Sequence, residues 1–165
     1  MGRLLIILLL CENGILTEPI LYLSLYLKQH RAVYYNLLQQ VRLNGTWETW
    51  LEFFLDGVYN SAKSAMETIK EINTLFHDDL LKIESLGRAQ FSCIQIFEYF
   101  KRLPQASAPL LSKELGISAP TARNALKSLI TLGVLEEISG KRRDKVYIYR
   151  RYLDILEKGT DPLSP

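Results

Sequence analysis

The side chains able to do chemistry in this 165-residue chain are few and unevenly placed. The two histidines, His30 and His77, lie far apart in sequence, and neither is near Cys11 or Cys93. That spacing argues against a His/Cys metal site and against a Cys–His nucleophile pair. The nine glycines are scattered with no G-x-G among them, so there is no dinucleotide fingerprint and no P-loop. What remains is cationic. Lys141, Arg142, Arg143 and Lys145, followed by Arg150 and Arg151, set six cations against Asp144 alone. Upstream, Thr121, Arg123, Asn124 and Lys127 form a second compact polar set. Arginine can take guanine O6/N7 and asparagine can take adenine N6/N7 in two-point geometry, while Thr and Lys suit phosphates. The chemistry on offer is recognition of a polyanion.

The elements that must position these residues can be read from residue 88 onward. A helix is expected over about 89–102, with Phe91, Ile94, Phe97 and Phe100 on one face and Leu103-Pro104 ending it. A short helix over about 108–114 leads into a tight turn at Leu115-Gly116-Ile117. Ser118 then caps a longer helix reaching about Thr131, with Ala122, Ala125, Leu126 and Leu129 inward. That phase leaves Ala119, Pro120, Thr121, Arg123, Asn124 and Lys127 outward. Two β-prone runs, 134–138 and 146–149, flank the basic residues as a hairpin. Helix, helix, turn, helix and basic hairpin is the order of a winged helix-turn-helix. Such a unit either binds DNA, through Thr121, Arg123, Asn124, Lys127, Lys141, Arg142, Arg143 and Lys145, or docks protein with a hairpin charged for solubility.

The first half has a different texture. No proline occurs between Pro19 and Pro104, so nothing there forbids helix. Thr17 and Pro19 open a helix over about 18–28. A second runs over about 31–43 and stops at Asn44-Gly45. Thr46 caps a long third segment. In it Leu51, Leu55, Val58, Ala62, Ala65, Ile69, Ile72, Phe76 and Ile83 recur three or four apart as one apolar stripe, which Gly87 closes. Asp79 interrupts the stripe, and His77-Asp78-Asp79 reads as a kink or a recapping point. A stripe this long either packs on the earlier helices or pairs with a second copy, so a homodimer is expected.

Charge divides the same way. Residues 1–86 carry 7 Lys/Arg against 10 Asp/Glu, while 87–165 carry 13 against 8. Two halves of opposite sign suggest two jobs. Apolar residues at 48% and charged residues at 23% suffice for packed cores and oppose disorder. Two cysteines make no disulfide framework, which fits a reducing compartment. The apolar run 4–10 mimics a secretory leader, but it is short and Leu10 before Cys11 is too large for a cleavage site. Glu12, Asn13 and Glu18 end it well before a membrane span is reached. It reads as a core helix of a cytoplasmic protein with no membrane partner. The expected class is mainly α: a helical part over 1–87, a winged helix-turn-helix with a small β-hairpin over 88–158, and a tail over 159–165.

Four stretches of the first half carry a resemblance. Gly2-Arg3-Leu4-Leu5-Ile6, Tyr34-Tyr35 with Leu38, Gly45-Thr46-Trp47 and Trp50-Leu51-Glu52-Phe53-Phe54 resemble the segment that follows the signature motif of Fic-domain proteins. Those proteins transfer AMP from ATP to hydroxyl side chains of proteins, and many bacterial members carry a C-terminal winged helix. Their motif reads H-P-F-x-[DE]-G-N-G-R-x-x-R, and Arg3 falls at its final arginine. The resemblance covers about residues 2–58. It implies a helical remnant of a Fic fold, with Arg3 near the terminal phosphates and Tyr35 and Leu38 lining an adenine pocket. It also implies ATP and magnesium as cofactors, and protein substrates, of an intact parent whose C-terminal region this chain would be. Tyr34 and Tyr35 read equally as an ordinary aromatic core pair.

The base histidine, the acidic magnesium ligand and the glycine-asparagine cradle of that motif are absent from these 165 residues. AMP transfer needs both a general base and a pre-organised anion cradle. The chain as given is therefore expected to hold no cofactor and to catalyse nothing. The other reading is a stand-alone winged-helix transcriptional regulator whose helical half dimerises.

Overall fold

The computed structural model describes residues 8–9, 11–14, 23–140 and 145–158. It is mainly helical with one small antiparallel sheet. The chain divides into two compact units, one reaching Ile69 and one spanning Lys70–Lys158. The division falls inside a long helix rather than at Gly87, because the helix's last turns pack into the second core.

In the first unit, α1 (Leu23–Gln29) and α2 (Arg31–Asn44) precede the start of α3 (Trp47–Glu84). Gly45, at φ 68°, ends α2 and donates its N–H to the Val41 carbonyl, a conformation that favours glycine. Leu23 and Leu27 of α1 are buried, with Tyr34 and with Phe53, Phe54, Val58 and Ala62 of α3 packed against them. Gly57 of α3 makes this contact close. A Cβ there would lie 2.7 Å from Tyr26 Cδ1, on a ring already set against His30 at 4.3 Å and Phe53 at 5.6 Å. Gly57→Ala should therefore destabilise the first unit despite better helix propensity. Overpacking costs about 1–3 kcal/mol and propensity returns about 1 kcal/mol, so a lower thermal midpoint by circular dichroism is the expected result.

The apolar stripe of α3 is not one buried face. Leu51, Leu55 and Ile69 are exposed, whereas Ile83 is buried and Phe76 packs on the second core. There is no break at His77-Asp78-Asp79 either: α3 is continuous through them, and Asp79 is fully buried. Of the apolar run 4–10, Leu8 and Leu9 lie among the described residues, and both are exposed helical positions. No helix among the described residues is long and apolar enough to cross a membrane.

The second unit continues from α3 through a 3₁₀ turn, Gly87–Ala89, into α4 (Gln90–Arg102), β1 (Gln105–Ser107), α5 (Ala108–Leu115) and α6 (Ala119–Thr131). Then follow β2 (Glu136–Glu137), β3 (Val146–Ile148) and α7 (Arg150–Glu157). Cys93, Ile96, Phe97 and Phe100 form the buried face of α4, while Phe91 is 70% exposed, contrary to its expected inward position. Phe97 and Phe100 are inward as expected, Ile94 packs at the margin of the core, and Cys93 and Ile96 take the place given to Phe91. The hairpin becomes a three-stranded sheet in the order β1-β3-β2, with Ala106 opposite Tyr147 and Glu137 on its other side. Leu103 before Pro104 is extended, as proline requires of its predecessor, and this turns the chain from α4 into β1.

Candidate nucleic-acid interface

The helix-turn-helix is built by caps. Gly116, at φ 64°, ends α5, and Ser118 opens α6 by accepting the Thr121 N–H at 3.2 Å. Ser112 Oγ donates to the Ile117 carbonyl at 2.8 Å and ties the turn back to α5. Across α6, Ala122, Ala125, Leu126 and Leu129 are all buried, as the sequence phase requires. This points Arg123, Asn124 and Lys127 outward, and all three are exposed. Thr121 is half-buried, and its hydroxyl is engaged by Ser118 Oγ at 2.7 Å. It serves the cap as well as any phosphate. Arg123 also adjoins the sheet. Burial pushes the Tyr147 hydroxyl of β3 above its ordinary range, and the charges of Lys145 and Arg123 partly offset this.

The hairpin cations are less free than their sequence implies. Lys145 Nζ bonds Glu137 Oε2 at 2.6 Å, with Ser139 Oγ donating to the other carboxylate oxygen at 3.1 Å. These bonds, from Lys145 foremost, hold Glu137 below the usual carboxylate range. Arg150 Nε lies 3.9 Å from Glu136 Oε2. Arg151 grips both oxygens of Asp79. So each described cation of the hairpin region faces a carboxylate, while Lys141, Arg142 and Arg143 lie outside the described residues. Exposed pairs such as those of Lys145 and Arg150 are worth about 0–1 kcal/mol, so a phosphate can recruit either cation at little cost. Arg151 cannot leave so cheaply, because its partner is buried.

The Asp79 cluster is the feature that sequence reasoning missed. Its carboxylate accepts Lys82 Nζ at 2.8 Å and Tyr149 Oη at 2.7 Å in addition to Arg151. The signal was present: with Phe76 at i and Ile83 at i+7, the acid at i+3 lies on the same face and must find a partner if that stretch is buried.

This arrangement has a counterpart among known domains. Residues 93–139 match the IclR helix-turn-helix domain. The IclR match begins one turn into α4, takes in β1, α5, the turn and α6, and ends just past β2. It thus contains Thr121, Arg123, Asn124 and Lys127 and stops before the hairpin tip. It lies wholly outside residues 2–58, so an origin in a Fic protein has no support beyond the sequence resemblance.

Of the residues that the resemblance singled out, Arg3 lies outside the described residues. Tyr35 is half-exposed, with its ring edge-on to Tyr34 at 5.4 Å and the Arg31 guanidinium 5.6 Å away. Leu38 lines an open surface depression of about 490 Å³ with Gln39, Arg42 and Leu43. Tyr35 is not among the described residues that line it.

Proposed function

We propose that this chain is a sequence-reading DNA-binding regulator: the winged helix-turn-helix of the second unit binds duplex DNA and the helical half joins two copies. One observation carries the reading. Inside a segment that matches a helix-turn-helix domain, the middle of the outward face of α6 is Arg123, Asn124 and Lys127, which suit base edges and phosphate, with the exposed Pro120, Ile130 and Thr131 only at the helix ends. A docking surface for protein would call for an apolar centre there instead. The reading assigns the chain no catalytic step and no cofactor.

The test is retention of labelled duplex DNA at several salt concentrations. Binding is expected to fall with salt at a log–log slope of about −0.9 per phosphate neutralised, and a genomic library should contain fragments held more tightly than random sequence. No retention at 50 mM salt, on the order of the lowest range used for such slopes, would make the winged helix a protein-docking module.

A further inference from the structure

The first unit leaves a stripe of α3 uncovered. Leu51, Leu55, Tyr59, Met66 and Ile69 are 44–67% exposed, and between them lies Ala62, half-buried where it packs on α1. At about 100° per residue these six positions fall within an arc of about 80°, and the stripe runs about 27 Å along the helix. We propose that this stripe binds the same stripe of a second copy, antiparallel, about a two-fold axis between Asn60 and Ser61. The proposal deepens the regulator reading by naming what the helical half joins and through which face.

Two properties select that partner and that direction. The stripe reads nearly the same from either end. Reversed about residues 60 and 61, Tyr59 meets Ala62 of the other copy, large on small. Leu55 then meets Met66, and Leu51 comes level with Ile69. A self-complementary patch is what an isologous interface demands. Charge agrees. Asp56 and Lys63 flank the same edge of the stripe, one on each side of the proposed axis, and both are exposed. Among the described residues neither makes an ion pair. The opposite edge is apolar, with Phe54 and Val58 packed on α1. Antiparallel copies set charged edge against charged edge with Asp56 opposite Lys63 twice. Parallel copies would set each charged edge against the partner's apolar edge. The geometry therefore favours one orientation as well as one occupant.

The test reads mass and cross-linking without DNA, so its failure leaves the DNA-binding reading standing and the reverse also holds. Light scattering on the full chain is expected to show a dimer at micromolar concentration. Leu55→Asp should raise the dissociation constant about 100-fold or more. Asp56→Lys should weaken the dimer, and adding Lys63→Asp should restore it, which a merely misfolded variant would not do. In a Cys11→Ser background, chains carrying Leu55→Cys should cross-link to chains carrying Met66→Cys and not to one another. A monomer at every concentration, or cross-linking of Leu55→Cys to itself alone, overturns the proposal.

Discussion

Replacing Asp79 with Ala should cost the second unit about 3–5 kcal/mol, the range for breaking a buried charged network from one side. The loss is expected even though alanine is the better helix former. Asp79 has no exposed surface. Without it the buried Tyr149 hydroxyl loses its acceptor and Arg151 loses both oxygens it holds. Arg151 Nε is already buried without a hydrogen-bond partner among the described residues, so losing the carboxylate adds to an existing deficit. Tyr149→Phe is milder, about 1 kcal/mol, because it removes one hydrogen bond and orphans nothing charged. Urea denaturation followed by circular dichroism measures both, and equal stability of the wild type and Asp79→Ala at pH 7 contradicts the assignment.

The same network sets a pH dependence. Burial alone would raise the Asp79 carboxyl, but hydrogen bonds from Lys82, Tyr149 and Arg151 outweigh it and hold the group below its ordinary value. A carboxylate lowered on folding contributes its stability in full above its unfolded value of about 3.9. That contribution is lost as pH falls through the lower folded value. The gap between the wild type and Asp79→Ala is thus expected to stay constant from neutral pH to about pH 5 and to shrink below about pH 4.

The second large effect falls on DNA. Arg123→Ala and Asn124→Ala are each expected to remove about 1–3 kcal/mol of discrimination between a preferred site and random sequence, the worth of a two-point base contact. Affinity for random DNA should change much less. Lys127→Ala should weaken all sequences alike and lower the salt slope by about one. Arg142→Ala with Arg143→Ala should do the same with a change of about one to two. Fluorescence anisotropy with two duplexes across a salt series separates the classes. Loss of equal size on both duplexes for Arg123→Ala would place that side chain on phosphate rather than on a base edge.

The sequence alone determined the α6 surface. Its phase is set by four apolar residues at helical spacing and its ends by Ser118 and by Gly133, which at φ 68° turns the chain out of the helix just after Thr131, all local chemistry, so Arg123, Asn124 and Lys127 could only face outward. The end of α2 and the start of α3 were equally legible, because Gly45 acts on its own neighbours. Other features waited for the tertiary structure. Three residues of β1 are too few to show a period, and Gln105–Ser107 is a strand only because β3 lies beside it. The stripe of α3 is periodic throughout, yet periodicity does not say what covers it. Its end packs on the second core, while Leu51, Leu55 and Ile69 stay bare. The basic hairpin looked like one patch in sequence, but three of its cations stand beside Glu136, Glu137 and Asp79, and only folding brings those pairs together. Asp79 and Arg151 are 72 positions apart. Local rules reach a few residues along the chain, whereas the partner of a buried charge is chosen by whatever the fold sets against it.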